Sequence, residues 1–162
     1  MLAIRGLAAG DVPAITAIVE GLPDYFTSDV PDKVSQDAAS HLGWVLVDSG
    51  AVVGFVLAAR KSARGAEVLW MAIDSVRRGH GHGTFLINRV LDDLAADGVS
   101  VVAVKTLDRS ADYQPYEATR AFWERRGFVH VDTIDPLPGW SPGNPAAIYV
   151  AALRPTRDQA AG

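Results

Sequence analysis

The sequence predicts a mixed α/β domain: a mostly antiparallel sheet of about seven strands with one central parallel pair, flanked by helices. Three observations lead there. Runs rich in β-branched and aromatic residues alternate with amphipathic stretches in the order β-α-α-β-β-β-α-β-α-β-β. The strands Glu67 to Ile73 and Val99 to Leu107 are separated by a helical stretch, and a helical crossover returns the chain parallel to its start. The chain has 162 residues, 49% of them hydrophobic, which suits one core and leaves no room for a second. Residues 1–153 are therefore expected to form a single domain, with 154–162 as a frayed tail.

Leu2 to Leu7 reads as the first strand. Asp11 is expected to cap a helix that has Pro13 in its first turn, carries Ile15, Ile18 and Val19 inward, and stops at Gly21. Leu22 to Pro31 has two prolines, two aspartates and the pair Tyr25-Phe26, a loop composition. Asp32 to His41 reads as a short polar helix. Trp44 to Asp48 and Ala51 to Arg60 form a hairpin around Ser49-Gly50. After the turn at Arg64-Gly65 comes the strand Glu67 to Ile73, broken by Asp74-Ser75. From Thr84 onward Leu86, Val90 and Leu94 share a helical stripe with Ile87 and Leu91 beside it, and Gly98 ends the helix. Val99 to Leu107 is a strand. Pro115 opens the next helix and Gly127 closes it. Phe128 to Ile134 and Ala146 to Leu153 are the last strands, separated by a loop rich in proline and glycine.

Composition excludes several classes of function. A net charge of -4 with no long basic stripe argues against nucleic-acid binding. The absence of cysteine removes disulfides, thiolate nucleophiles and cysteine metal sites. The N-terminal stretch lacks the pattern of a signal peptide, and no apolar run approaches the ~18 residues of a membrane span. A cytoplasmic protein is expected.

The stretch Arg78-Gly79-His80-Gly81-His82-Gly83 lies between a strand and a helix. Its alternating glycines let backbone amides approach a ligand. The first amides of a helix lack intrahelical partners, and the macrodipole places about half a positive charge there. A phosphate satisfies both, and Arg78 adds a guanidinium fork. His80 and His82 have no third ligand in view, so no metal site is expected.

These residues match the R/Q-x-x-G-x-G/A signature of the GNAT superfamily of acetyl-CoA-dependent N-acetyltransferases, and Ala66 to Ile73 (AEVLWMAI) closely resembles the catalytic strand of its histone-acetylating members. Tyr116 to Phe128 (YEATRAFWERRGF) is similar to the family's later helix with its F-Y-E-x-x-G-F ending. The resemblance covers about the last two-thirds of the chain.

It implies acetyl-CoA as co-substrate, bound by Arg78 to Thr84. It implies a bulged catalytic strand splayed from the next one, with the amides around Met71, Ala72 and Ile73 holding the pantetheine and polarising the thioester carbonyl. Glu67 aligns with the general-base glutamate, and strand alternation puts it with Leu69, Met71 and Ile73, an apolar setting. Such a base is worth having because an alkyl ammonium of pKa ~10.4 costs on the order of 4 to 5 kcal/mol to hold neutral at pH 7. The family tyrosine that protonates the CoA thiolate is here Trp123, which leaves Tyr116, Tyr113 or water for that step, Tyr116 preferred. Tyr116 and Trp123 are also implied as cofactor contacts. On the acceptor side the resemblance points to Tyr25, Phe26 and Asp29. Asp108, at the end of a strand, either attracts a cationic amine or merely forms a turn. The acceptor is expected to be a primary amine of a small molecule or peptide. A non-catalytic acetyl-CoA-binding module and, less compatible with the G-x-G-x-G spacing, a dinucleotide-binding domain stand as alternatives. The oligomeric state is open, a homodimer included.

Overall fold

The computed structural model describes residues 1–154. Its strands are β1 (Leu2–Gly6), β2 (Leu42–Asp48), β3 (Ala51–Arg60), β4 (Gly65–Ile73), β5 (Val101–Leu107), β6 (Val129–Ile134) and β7 (Ala146–Ala152). They form one seven-stranded sheet in the order β1-β2-β3-β4-β5-β7-β6. Neighbours are antiparallel except β4 and β5, which the helical crossover makes parallel. The helices are α1 (Val12–Glu20), α2 (Val30–Ser40), α3 (His82–Ala96) and α4 (Pro115–Arg125). The chain thus follows the element order that its periodicity predicts. The expected tail falls mostly on residues 155–162, outside the described residues.

Each face of the sheet has its own apolar cluster. Leu86, Ile87, Val90 and Leu94 of α3, with Trp123 of α4, pack on Val56, Val68 and Val104. On the opposite face Ile15 and Val19 of α1 and Val34 of α2 pack on Val45, Phe55 and Leu57. Each of these side chains, fully buried, contributes about 1.5 to 3 kcal/mol by leaving water. The β2–β3 hairpin turns at Ser49 and Gly50, both at positive φ (51° and 88°), as a two-residue turn of matching twist requires. Among the described residues no helix is long and apolar enough to cross a membrane.

Two local expectations change. Asp11 does not cap α1. Its carboxylate accepts from Arg5 Nη1 at 2.7 Å and Nη2 at 2.9 Å and from the Ala8 amide at 2.8 Å, because a fork of charged donors outbids one helix amide. Helix α2 begins at Val30, not Asp32, since Pro31 fits a first turn whose amide has no partner to lose.

Candidate active site

The site begins with a gap in the sheet. β4 and β5 pair only from Gly65 opposite Val101 to Val68 opposite Val104, although the strands run on to Ile73 and Leu107. Beyond Val68 they splay, and the β5 side of Leu69 to Ile73 has no ladder partner. On its other edge β4 stays paired with β3, but with one residue too many: Leu57 faces Trp70 and Ala58 faces Val68, so Leu69 is the extra residue of a bulge.

That bulge corrects the face assigned to Glu67. Before it, Ala66 and Val68 belong to the α3–α4 cluster; after it, Met71 and Ile73 do, while Trp70 and Ala72 join the α1–α2 cluster. Glu67, opposite Ala59, therefore lies on the α1–α2 face with Trp70, and not with Met71 and Ile73. Nor is its setting apolar. Glu67 is 8% exposed, yet Lys105 Nζ lies 3.3 Å from its carboxylate and Lys61 Nζ 3.8 Å. Lys105 sits one residue past the last β4–β5 pair, at the mouth of the splay.

On the α3 side, the glycine loop ends at Gly81, whose φ of 78° precedes the helix starting at His82. Gly79, at φ 82°, is likewise left-handed, and a Cβ at either position would meet nothing. His82, Gly83 and Thr84 are first-turn residues, so their amides lack intrahelical acceptors. Both histidines brace the loop: Nδ1 of His80 donates to the Arg78 carbonyl and Nδ1 of His82 to the Arg77 carbonyl, each at 2.9 Å. Gly83 serves packing, since a Cβ there would lie 3.2 Å from Phe122 Cε2 and 3.6 Å from Met71 Cε. Arg77 pairs with Asp48. Arg78 reaches across to Tyr25, with Nη2 3.2 Å from the hydroxyl and Cζ 4.5 Å above the ring.

The α1–α2 link is strapped over the open end of the gap. Tyr113 donates to the Asp24 carbonyl at 2.7 Å and Tyr116 to the Tyr25 carbonyl at 2.6 Å. Burial, with minor help from Tyr113 and Tyr25, pushes the Tyr116 phenol up to about 12.

The acetyltransferase (GNAT) domain family model matches residues 39–130, which run from β2 to the start of β6 and hold the bulge, the gap and the glycine loop. The chain belongs to the GNAT acetyltransferases. No curated protein matches it. Among solved structures, a GNAT-family protein from Desulfovibrio desulfuricans superposes with a TM-score of 0.83 at 18% identity, covering 95% of this chain and 100% of that one. The ribosomal-protein-S18-alanine N-acetyltransferase of Escherichia coli gives 0.77 at 19% identity, covering 96% of both chains. A GNAT acetyltransferase from Elizabethkingia anophelis with acetyl-CoA bound gives 0.74 at 14%, covering 94% and 98%. Identities this low establish the shared fold.

Against that GNAT frame the other expected site residues separate. Trp123 is 4% exposed and packs edge-on against Phe122 and Phe128, a core residue here. Phe26 packs edge-on against Trp70, 6.3 Å between centroids, and so pins the loop from inside. Asp29 is held locally by Lys33 at 2.7 Å and by Thr27, contacts that keep its carboxyl down at about 2. Asp108 closes its own turn, accepting from Ser110 Oγ at 2.6 Å and the Ser110 amide at 3.1 Å. Among the described residues no group of three or more metal-ligating side chains gathers. Sequence reasoning missed Lys61 at Glu67, and it missed a recess of about 480 Å³ lined by Thr84, Asn88, Arg125 and Arg126 beside the start of α3. The adjacent arginines before Gly127 were the available signal.

Proposed function

We propose that this GNAT acetyltransferase moves the acetyl group of acetyl-CoA onto a primary amine by direct attack, in the cytoplasm. One observation carries the reading: the β4–β5 gap connects a helix N-terminus fit for phosphates on one face to a buried carboxylate on the other. In this reading the amides of Gly79 to Thr84 and the Arg78 guanidinium bind the pyrophosphate. Arg78 leaves the Tyr25 ring to do so. Arg125 and Arg126 line the recess next to that helix start and suit the remaining phosphate of the nucleotide end. The unpaired β4 edge supplies the amides of Met71 and Ile73 for the pantetheine arm and the thioester oxygen, whereas the Ala72 amide, two residues before the Asp74 amide that donates to the Val53 carbonyl, faces β3.

The amine nitrogen then forms a bond to the acetyl carbon, the C–S bond breaks, and the amine proton passes to Glu67. To receive it, Glu67 must exchange a Lys105 proton contact for the acceptor. The thiolate, with a thiol pKa of about 8.5, gains its proton from water. A phenol at about 12 already donating to a carbonyl is a poor source, so Tyr116 acts by fixing the acceptor-side loop.

The test is thiol release from acetyl-CoA against an amine panel, with Glu67→Gln beside the wild type. The variant keeps the side chain's shape but cannot take a proton, so acetyl-CoA affinity should stay nearly constant while turnover falls ~10² to 10⁴-fold. Raising the pH until the amine is largely deprotonated should restore activity. Unchanged turnover at neutral pH contradicts the assignment. Absence of any thioester turnover, with acetyl-CoA still bound in calorimetry, would instead favour a non-catalytic binding module.

A further inference from the structure

The charges around Glu67 do not balance. One carboxylate, 8% exposed, faces two ammonium groups, Lys105 at 3.3 Å and Lys61 at 3.8 Å. The local sum is one positive charge. Lys105 lies on β5 one residue beyond the Val68–Val104 pair and on the α1–α2 face, so it stands between Glu67 and the gap through which the thioester is reached. An acceptor amine that engages Glu67 must take the place Lys105 occupies. If that acceptor brought only positive charge, it would strand the displaced ammonium and raise the local sum to two.

We infer that the acceptor carries a carboxylate, or an equivalent anion, on the carbon bearing its amine: an amino acid rather than a polyamine or other purely cationic amine. The amine pairs with Glu67 and the carboxylate with Lys105, so each displaced charge finds a new partner and the local sum stays at one. Lys61, half exposed at the rim, adds to the anion's attraction. The apolar cluster of α1 and α2 does not extend over the face of β5 that carries Lys105. The cluster beneath α1 and α2 draws its sheet residues from β2, β3 and β4 alone, and on this face Val101 of β5 is 42% exposed. The inference rests on the acetyl-transfer reading and assigns its specificity to Lys105.

The experiment measures thiol release with matched pairs, each amino acid against the amine that lacks its carboxylate. We expect at least one amino acid to exceed its partner in kcat/KM by about tenfold or more, carried mainly by KM. Lys105→Gln should bring that ratio close to one, while Lys105→Arg retains the preference. Lys61→Gln should reduce it less. Taking the ratio on a single preparation cancels any loss of folded protein. Decarboxylated amines that match or beat the amino acids overturn the inference, as does a preference that survives Lys105→Gln. No turnover of any amino acid while other amines are acetylated also overturns it, and leaves acetyl transfer standing. Failure of acetyl-CoA to bind or react removes both readings together.

Discussion

Asp11 illustrates how much a single residue's partners decide. The Arg5 fork, reinforced by the Ala8 amide, holds its carboxyl below the usual carboxylate range. Asp48, held chiefly by Arg77, and Asp108, held chiefly by Ser110, are lowered as well. A group whose folded pKa is depressed binds fewer protons when folded. Its stabilisation is complete above the unfolded value, near ~3.9, and is lost as pH falls through the folded one. The urea midpoint should therefore change little through these groups above pH ~5 and drop from about pH 4 downward. Asp11→Asn should cost about 1 kcal/mol at pH 7, a modest figure because Arg5 is half exposed, and should make the acid decline shallower. An unaltered decline would show that Asp11 titrates alike in both states. Asp11 also marks a limit of sequence reading. An aspartate before Pro13 looks like a cap, and nothing local tells that Arg5 arrives in bidentate register. Glu67 is the counterpart: its strand motif pointed to a buried carboxylate, but its lysines come from elsewhere, Lys105 from β5 and Lys61 from the turn after β3.

Among elements, α3 and β4 carry the functional geometry, and they differ in how legibly the sequence encodes them. The strand, glycine loop and helix run from Gly65 to Ala96 close to where periodicity places them. The bulge at Leu69 was visible only through family resemblance, because Leu69 is one apolar residue among several. The consequence, that Glu67 changes face, required the register. Gly81 and Gly83 likewise look equivalent in sequence but are not. Gly81→Glu should abolish acetyl-CoA binding in calorimetry by placing a carboxylate at the helix start, at a fold cost of about 1 kcal/mol for the left-handed φ. Gly83→Glu should lower the thermal midpoint as well, because its Cβ meets Phe122. Equal effects of both on thermal stability would contradict this distinction. Gly54 is a third case. A Cβ there would lie 2.6 Å from Ile73 Cδ1, a terminal methyl that can turn aside, and 3.2 Å from the Ala72 carbonyl, so Gly54→Ala should cost about 1 kcal/mol as the backbone gives by a few tenths of an ångström. Thermal unfolding of the variant measures it, and a wild-type midpoint would show that the strands yield freely.

Across the whole molecule, element order and the parallel pair were readable because hydrophobic period and crossover length are local signals. The strap across the gap was not, since Tyr113 and Tyr116 find Asp24 and Tyr25 some ninety positions away. Removing both hydroxyls with Tyr113→Phe and Tyr116→Phe should leave two carbonyls short of a donor and cost about 1 kcal/mol each. Amide exchange in residues 22–29 should accelerate while β3 amides keep wild-type protection; uniform acceleration would mean the strap supports the global fold instead.

The short β4–β5 ladder has a further consequence. Among the described residues a short ladder from Gly65 to Val68, preceded by the Arg64 carbonyl that accepts from the Ser100 and Val101 amides, stitches the two halves of the sheet together by backbone hydrogen bonds. That seam is where the molecule should come apart first. Strands β1 to β4 should open as one cooperative unit and β5 to β7 as another, each with its own free energy in native-state exchange. A ligand lying between β4 and β5 touches both units, so it would act as a clasp. Saturating acetyl-CoA at 100 times its dissociation constant adds about 2.7 kcal/mol to any opening that destroys the site. With the clasp in place the two units should merge into a single unfolding transition.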